Sequence, residues 1–301
     1  MDLDSKITLL GLEHKGKAFA LNEGLKNVKT DYTITVDSDT VLHPLAVRNI
    51  MHKLVNSDKR TAATAGCLFV KNSKKSFITK LQEWDYSLGI FGVKLYQGNY
   101  NSTLVAQGAF SAYKTDLLKQ IGGWKNCVGE DIVLTWELLS QGYETNFAKN
   151  AIAFTEVPET LNSLGKQRKI WARGMIEAFK RVKILTSKKL NFKSKFLMCL
   201  NLFFPFVDFA LLIFVPLGLI LLAFGNPLLI GWLSLLVIFL GMLLCLVIEI
   251  RRKNMLREIE CKLERRSILA FIFYVLLYAF TLAPYCLIGY ISELINSKKE
   301  W

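Results

Sequence analysis

Three long apolar stretches towards the C-terminus constrain this chain more than any other feature of its sequence. They cover residues 196–224, 228–250 and 268–291. A helix that crosses the hydrocarbon core of a bilayer needs about 20 mostly apolar residues. Before about Lys195, by contrast, apolar and charged side chains are mixed throughout. We therefore expect a folded domain over residues 1–190 and a membrane-associated part over residues 191–301.

The first apolar stretch is difficult to interpret as one straight span. It contains two prolines and Asp208, and a carboxylate in the middle of a bilayer is costly. We therefore expect an interfacial helix over residues 195–205 and a first span over residues 207–224, which leaves Asp208 near the headgroups. The other two spans are expected over residues 228–250 and 268–291.

The charges of the connecting loops orient these spans. Residues 225–227 carry no charge, whereas residues 251–266 carry seven Lys and Arg. Loops rich in Lys and Arg stay on the cytoplasmic side. The sequence therefore predicts a multi-pass protein of the cell membrane with a cytoplasmic folded domain. Three crossing spans would place Lys298 and Lys299 outside, and a third segment that re-enters the membrane at Pro284 is the alternative.

Basic residues are concentrated beside the apolar part. The formal net charge is +13, and residues 166–195 hold eleven Lys and Arg against one acidic residue, Glu177. A basic segment next to a membrane span favours contact with anionic lipid. An RNA-binding strip is the rival interpretation, but no aromatic stacking pattern accompanies the charges. We expect membrane lipid, and no nucleic acid, as the partner.

Apolar periodicity in the first part predicts alternating strands and helices. Residues 31–37 alternate strictly and are rich in β-branched side chains, which is typical of a strand. Further strands are expected over residues 63–70, 105–113 and 144–147. Helices are expected after Pro44 and over residues 16–28, 115–121, 131–141 and 166–185. This alternation favours an α/β sheet, in which ligands bind beyond the carboxyl ends of strands.

Asp37 and Asp39 directly follow the first predicted strand. Two carboxylates one residue apart can share a divalent cation with a diphosphate, because Mg²⁺ prefers one or two carboxylates completed by substrate phosphates. The metal would neutralise a leaving diphosphate. The same spacing also occurs by chance in solvated turns, and for this pair alone that interpretation stays open.

Glu130 and Asp131 open another predicted helix. Two acids in a first turn can simply complement the helix dipole. A carboxylate held there can instead accept the proton of an attacking hydroxyl group, as a general base does. The local sequence fits both interpretations.

Gln167, Arg168 and Trp171 lie on the last predicted helix of the folded domain. Gln167 and Trp171 are one turn apart and so share a face. The indole offers a flat surface to a sugar ring, and the amide can bond hydroxyl groups or phosphate oxygens. An amphipathic helix whose Trp anchors it at the bilayer surface is the alternative.

The order and spacing of these motifs resemble the family 2 glycosyltransferases, above all the processive membrane synthases of poly-N-acetylglucosamine, chitin-like polymers and hyaluronan. The likeness covers residues 15–173 and, more loosely, the spans. Its motifs are residues 16–22, 37–39, 108–110, 129–131 and 167–171. The resemblance implies an α/β fold of the GT-A nucleotide-sugar type, followed by transmembrane helices, and a hexosyltransferase activity.

The resemblance also implies roles for single residues. Asp37 and Asp39 would hold UDP with Mg²⁺ or Mn²⁺, with Lys17 near the nucleotide. Asp131 would be the base of a single displacement that converts an α-linked UDP-sugar to a β-glycosidic bond. The residues expected at the acceptor and diphosphate are Gly108, Ala109, Phe110, Glu130, Gln167, Arg168 and Trp171.

The expected partners follow from the same resemblance. The donor is expected to be a UDP-sugar, with N-acetylglucosamine as the sugar. The acceptor is expected to be a growing polysaccharide or a lipid-linked sugar. An accessory membrane subunit is left open.

The sequence departs from the family pattern in two places. Family members begin with a strand and an Asp-rich loop that grip the uridine, upstream of anything in this sequence, so a GT-A domain lacking its N-terminal part is expected. Ile170 stands where the family has Arg, and Arg168 and Arg173 are candidates to replace it. Two alternatives therefore stay open: an inactive fragment or decayed paralogue, and a non-catalytic nucleotide-binding membrane protein.

Overall fold

A mixed five-stranded sheet forms the centre of the first part of the chain. The computed structural model describes residues 7–184, 186–261 and 265–297. The strands are β1 (Tyr32–Val36), β2 (Val41–Leu42), β3 (Thr61–Val70), β4 (Phe110–Lys114) and β5 (Glu144–Thr155). Their order across the sheet is β1-β4-β3-β5-β2. Strands β3 and β5 are parallel, and the other neighbouring pairs are antiparallel.

Helices cover both faces of this sheet. They are α1 (Lys17–Asn27), α2 (Ala46–Val55), α3 (Phe77–Asp85), α4 (Val93–Gly98), α5 (Thr115–Gln120), α6 (Glu130–Ser140) and α7 (Leu161–Arg181), with a π-helical turn (Tyr86–Gly92) between α3 and α4. Successive side chains of a strand point to opposite faces. Accordingly, Ala112 packs with Ile50 of α2, whereas Tyr113 packs with Leu134 of α6. We call residues 17–181 the sheet domain.

The pairing of β1 with β4 determines where the site lies. Val36, at the end of β1, is opposite Phe110, at the start of β4. The residues after one strand therefore meet the residues before the other. The N–H of Asp37 donates to the carbonyl of Ala109 at 3.2 Å. This contact brings the loop after β1 and the segment before β4 together at one end of the sheet.

Most of the predicted elements are confirmed. The strands predicted over residues 31–37 and 63–70 are β1 and β3. The helices predicted before β1, after Pro44, after β4 and at Asp131 are α1, α2, α5 and α6. Helix α7 begins five residues earlier than predicted, because the hydroxyl of Thr160 caps it by accepting the N–H of Ser163 at 3.2 Å. Leu185, the predicted end of this helix, lies outside the described residues.

Two strands differ from their predicted extent. The strand expected over residues 105–113 begins only at Phe110, because preceding backbone groups bond to side chains and not to a neighbouring strand. The strand expected over residues 144–147 continues to Thr155, since β5 pairs again with β3 from Ile152 after a shift in register. Residues 77–98, where no element was predicted, form α3, the π-helical turn and α4.

The second part of the chain is helical. It consists of α8 (Phe192–Leu200), a 3-10 turn (Asn201–Phe203), α9 (Phe204–Ala223), α10 (Trp232–Glu258), α11 (Ile268–Phe273), a π-helical turn (Tyr274–Tyr278) and α12 (Ala279–Leu294). Three of its helical segments are long and apolar enough to cross a membrane, namely Phe192–Ala223, Ser234–Glu258 and Ile268–Leu294. The 3-10 turn lies at Asn201–Phe203, within a helical segment that continues from Phe192 to Ala223, and the expected division into an interfacial helix and a first span stays a prediction. Lys298 and Lys299 lie outside the described residues.

Candidate active site

Lys17 and Asp37 form the charged centre of the site. Lys17 is the first residue of α1, and Asp37 directly follows β1. The Nζ atom of Lys17 lies 2.7 Å from Oδ1 of Asp37 and 3.8 Å from Oε1 of Glu130. Gly108 is so close that a Cβ there would come within 2.8 Å of Nζ. The centre therefore joins residues from α1, β1, the segment before β4 and α6.

The surrounding carboxylates keep Lys17 charged. Burial by itself would lower the pKa of Lys17, but the hydrogen bond and charge of Asp37 raise it above its ordinary value, as do the charges of Glu130 and Asp131. The ammonium reduces the repulsion among these acids. It also offers a positive group to an incoming phosphate.

Asp131 extends from the start of α6 towards the segment before β4. Its Oδ2 atom accepts a hydrogen bond from the N–H of Gly108 at 3.4 Å. Its Oδ1 atom accepts the N–H of Ile132 at 2.7 Å. These bonds orient a carboxylate beside Gly108, the same residue that the ammonium of Lys17 approaches.

Glu130, beside Asp131, changes its charge near neutral pH. Burial raises the pKa of Glu130 to about 7, and the negative charge of Asp131 adds to this effect while Lys17 opposes it. Groups with pKa values shifted towards neutrality are frequent where protons are transferred. The two neighbouring acids of α6 are therefore not equivalent.

Side chains outside the predicted motifs hold the segment before β4. The ammonium of buried Lys94, in α4, donates to the carbonyl of Val105. The hydroxyl of Thr135 accepts the N–H of Ala106 at 2.9 Å, and the hydroxyl of Tyr113 donates to the carbonyl of Ala106 at 3.0 Å. These bonds fix the irregular path that brings the end of the segment to the acids of α6.

Lys94 and Thr135 were not predicted from the sequence, for different reasons. Thr135 lies one helical turn after Asp131, so the periodicity of α6 contained a signal. Lys94 had none, because its carbonyl partner belongs to a segment whose shape arises only in the folded chain. Burial lowers the pKa of Lys94 to about 7, although the charge of Asp131 acts in the opposite direction.

Arg168 and Trp171 form a stacked pair on α7. The central carbon of the Arg168 guanidinium lies 4.0 Å from the centroid of the Trp171 ring. Arg168 is also paired with Asp85, at an N–O distance of 2.6 Å. The residue Trp171 remains 43% exposed, so a ligand can reach it. The amide Oε1 of Gln167 is buried and has no hydrogen-bond partner among the described residues.

The two arginines suggested as substitutes for the missing family Arg have different surroundings. Arg168 lies against Trp171. Arg173 is buried, and its Nε lies 2.8 Å from a carboxylate oxygen of Glu293 in α12. Arg168 is therefore the cation beside the exposed aromatic residue, and Arg173 connects α7 to the C-terminal helix.

One backbone contact links the charged centre to α7. Gly129, just before α6, packs directly on α7, since a Cβ on Gly129 would lie 2.8 Å from Cα of Gly174. Tyr86, in the π-helical turn, experiences charges from both groups of residues. Burial raises the pKa of Tyr86 to about 12, and the charges that act on it include Arg168 and Asp39. Both sets of predicted residues therefore surround one region.

Three of the predicted site residues belong neither to the charged centre nor to the stacked pair on α7. The Phe110 side chain is fully buried and packs on Gly66 in the core, so its backbone is the part nearest the site. Asp39 is exposed, and its Oδ1 accepts the hydroxyl of Thr155 at 3.4 Å. Ala109 contributes its carbonyl to the bond with Asp37.

Asp37 and Asp39 suit a divalent cation that a ligand helps to hold. Within residues 7–184, 186–261 and 265–297, no group of three or more His, Cys, Asp or Glu could hold a metal ion. Mg²⁺ commonly uses one or two carboxylates and takes its remaining ligands from phosphates and water. The ammonium that Asp37 already binds shows that this position favours a positive charge. These oxygens therefore fit a metal that arrives with a diphosphate.

All the predicted site residues, from Lys17 to Trp171, lie within the match to one family model. Residues 2–174 match the model described as glycosyltransferase like family 2. The chain belongs to this family. The family resemblance inferred from the spacing of the motifs is thereby confirmed.

Two curated relatives of this family 2 chain carry the same name. A poly-β-1,6-N-acetyl-D-glucosamine synthase of Staphylococcus aureus is 32% identical over 191 residues, which are 62% of this chain and 45% of the relative. A synthase of the same name from Staphylococcus epidermidis is 33% identical over 169 residues, or 56% and 40% of the two chains. The matched region spans less than half the length of either relative.

A solved structure resembles the family 2 chain over nearly its whole length. It is a mannosyltransferase from Pyrobaculum calidifontis in complex with GDP-Man and Mn²⁺. The TM-score is 0.56 at 16% identity, with 95% of this chain and 68% of that chain covered. At this identity the likeness concerns the fold alone. The predicted GT-A-like α/β fold, followed by helices long enough to cross a membrane, is confirmed.

Proposed function

We propose that this family 2 glycosyltransferase transfers N-acetylglucosamine from a UDP-sugar to a hydroxyl group of a growing polysaccharide, with inversion to a β-linkage. One observation carries the proposal: Asp131, a candidate base, and the Lys17–Asp37 pair meet at Gly108. The choice of sugar and of a polymeric acceptor rests on the name of the two staphylococcal relatives.

The donor binds on the side of the site formed by Lys17, Asp37 and Asp39. The two aspartates hold Mg²⁺ or Mn²⁺ together with the donor diphosphate, and the bound metal supplies positive charge that stabilises the leaving diphosphate. The ammonium of Lys17 can exchange its bond to Asp37 for a bond to a phosphate oxygen. Lys17 thereby orients the diphosphate and compensates its charge.

Asp131 takes up the proton of the acceptor. As the acceptor oxygen attacks the anomeric carbon, its proton passes to the Asp131 carboxylate. The bond from that carbon to the UDP oxygen breaks on the opposite face, and its electron pair leaves with UDP. An α-linked donor therefore gives a β-linked product. General base catalysis of this kind typically contributes about 10²-fold to 10⁴-fold to the rate.

Helix α7 supplies the platform for the acceptor. The exposed ring of Trp171 offers an apolar surface to a sugar ring, and Arg168 fixes the orientation of the indole by stacking on it. The Oε1 atom of Gln167, which is buried and has no hydrogen-bond partner among the described residues, can accept a hydroxyl group once the side chain rotates towards the acceptor. Gly108 and Ala109 border the acceptor on the side of Asp131.

We place the protein in the cell membrane with the sheet domain in the cytoplasm. The basic segment over residues 166–195 and the seven Lys and Arg of residues 251–266 support this orientation. Membrane lipid is then a permanent neighbour of the chain. An accessory membrane subunit stays a prediction.

The first experiment measures transfer of radiolabelled sugar by membranes that contain the chain. UDP-N-acetylglucosamine, UDP-glucose and GDP-mannose are tested in parallel with Mn²⁺ or Mg²⁺. We expect polymer from UDP-N-acetylglucosamine, none from Asp131→Asn, and normal product from Asp116→Asn, which removes an exposed acid from the first turn of α5.

Each contrary outcome has a definite meaning. Polymer from another donor would overturn the choice of sugar. UDP binding without turnover, both in the unaltered chain and in Asp131→Asn, would indicate a non-catalytic nucleotide-binding membrane protein. Neither binding nor turnover would support the inactive alternative.

A further inference from the structure

We propose that the third apolar segment, residues 268–294, does not cross the bilayer but lies along its surface. One face of this segment packs on the sheet domain, and the opposite face is a docking surface for the lipid bilayer. The inference holds whichever sugar is transferred, and it concerns a segment that is long and apolar enough to be a span.

The first end of the segment is attached to the sheet domain. The indole N–H of Trp84, in α3, donates to the carbonyl of Ser267 at 3.1 Å. The guanidinium of Arg266 lies 3.2 Å from a carboxylate oxygen of Glu83 and donates to the hydroxyl of Ser87 at 2.6 Å. The segment therefore starts against α3 and the π-helical turn.

The last end of the segment is attached to the same domain. Glu293 is only 4% exposed, and a carboxylate oxygen of this residue lies 2.8 Å from Nε of Arg173 in α7. The ammonium of Lys180, also in α7, donates to the carbonyl of Glu293 and to the side-chain oxygen of Asn296. Both ends of the segment thus contact one domain.

Between these ends, α12 runs alongside α7 in the same direction. Gly165 packs against the ring of Tyr285, and Gly289 packs against the backbone of Lys169. The Arg173–Glu293 pair then follows one turn further along both helices. The absence of a Cβ at Gly165 and Gly289 allows the close approach. The two helices therefore occupy the same level relative to the membrane.

Helix α7 is too polar to lie within hydrocarbon. It holds seven charged residues among 21, and charged groups at the centre of a bilayer are costly. Its start is also capped and packed against the sheet domain. A segment that accompanies α7 along its length, with both ends on the sheet domain, stays on that side of the bilayer.

Helices α9 and α10 are less buried than the third segment. Within α9, every residue of which is described, only Gly218 is buried. Over residues 234–258 of α10, the part whose burial the structure describes, buried residues are confined to the stretch from Glu249 to Leu256. These two helices leave the sheet domain, as a pair of crossing helices joined by residues 224–231 would. The third segment has the larger buried share of the three candidate spans.

The outer face of the third segment is apolar and exposed. Buried residues recur along the inner face at Ala270, Tyr278, Leu282, Ala283, Gly289 and Tyr290. The outward residues are Ile268, Leu269, Leu276, Ile288, Ile291 and Leu294. An apolar face that borders a polar domain suits the boundary between headgroups and acyl chains.

The contact between α12 and α9 indicates that the outer face of the third segment lies against the lipid bilayer. The hydroxyl of Tyr290 donates to Oδ2 of Asp208 at 2.9 Å. Asp208 lies in the first turns of α9, where a carboxylate is tolerated only near the headgroups. Tyr290 is therefore at headgroup depth, and the outer face of its helix continues the lipid-facing surface of α9. This arrangement holds α7, with Trp171, beside the membrane surface.

Labelling with a membrane-impermeant maleimide tests this topology in the full chain. Cys199, Cys245, Cys261 and Cys286 are replaced by alanine, while Cys67 and Cys127 are kept because they are buried. Single cysteines are then introduced by Asn56→Cys in the sheet domain, Asn226→Cys between α9 and α10, and Ser297→Cys after α12. Sealed vesicles of both orientations are labelled.

We expect Ser297→Cys to be labelled from the same side as Asn56→Cys and from the side opposite to Asn226→Cys. Labelling of Ser297→Cys from the same side as Asn226→Cys would overturn the proposal.

A second pair of variants retains all native cysteines and distinguishes a surface helix from a re-entrant one. Leu276→Lys and Leu240→Lys each place an ammonium at an exposed apolar position, with 51% and 54% of the native residue exposed. On a surface helix the lysine can extend its ammonium to the headgroups. We expect Leu240→Lys to lose the membrane-inserted protein and Leu276→Lys to retain it. Equal loss would contradict the surface position.

Discussion

The charged centre around Lys17 and the aromatic platform on α7 are the two halves of the proposed site, and they are built differently. In the charged centre, each acid or base lies at the end of a strand or the start of a helix, within a short motif. On α7, the position of Arg168 depends on Asp85, 83 residues away in the chain, and α7 itself is packed against the C-terminal helix. We therefore expect the first half to tolerate changes in the membrane part better than the second half does.

Removing the proposed base should have the largest effect and should act on the charged half alone. We expect Asp131→Asn to lower kcat by about 10²-fold to 10⁴-fold, because the amide cannot take up the proton of the acceptor. Donor binding, measured by titration with UDP, should change little. Transfer assays on purified protein check this, with Asp116→Asn as the matched control. A variant with near-normal kcat would rule out the assigned role of Asp131.

Breaking the Asp85–Arg168 pair should affect the aromatic half. Both side chains are largely buried, so Asp85→Asn leaves Arg168 without its counter-charge. Loss of one partner of a buried pair costs about 3–5 kcal/mol, and we expect a lower melting temperature and a higher KM for the acceptor. The exposed Asp31→Asn is the control. Unchanged melting and acceptor KM would mean that the two halves do not differ in this way.

Lys94 holds the segment before β4, which brings Gly108 to the charged half of the site. We expect Lys94→Met to lower kcat by about tenfold to a hundredfold, because a small displacement of catalytic groups can cost this much. Melting should change less, since methionine removes a cation that burial disfavours. Lys53→Met, on the exposed face of α2, is the control. A variant that unfolds without any change in kcat per folded molecule would assign Lys94 a structural role only.

The smallest expected effect is a change in how kcat/KM depends on pH. Glu130 ionises as the pH passes through about 7, its raised pKa, and its negative charge favours removal of the acceptor proton, so kcat/KM should rise over this range. We expect Glu130→Gln to lose this rise, with an effect of a few-fold. Glu137→Gln, on the same helix but away from the site, should keep it. The same rise in both variants would exclude Glu130 as its source.

The raised pKa of Glu130 also predicts how the free energy of unfolding depends on pH. The pKa of Glu130 is raised in the folded chain from its ordinary value of 4.5 to about 7, so folding favours the protonated form. The free energy of unfolding should therefore fall as the pH rises from about 4.5 through about 7. Glu130→Gln should reduce this fall, which thermal unfolding at several pH values measures.

Much of the fold was predictable because its signals are local. The alternation before Asp37 predicted β1, and the spacing of apolar residues predicted α1 and α6. Long apolar stretches predicted the three apolar helical segments that follow the sheet domain. The region over residues 77–98 was not predicted, since its π-helical turn depends on contacts with distant segments. The strand at Phe110 was predicted too long, because side chains of α4 and α6 bind the backbone before it.

By itself, the sequence determined the family and the presence of apolar helices, and it predicted the candidate residues of the charged centre. These features depend on short motifs and on chain length, which are independent of distant contacts. Only the tertiary structure decided that Arg168 pairs with Asp85, that Lys94 holds the segment before Gly108, and that both ends of the third apolar segment contact one domain. Hydropathy measures how apolar a helix is, whereas its position depends on the surfaces it packs against, and these exist only in the folded chain.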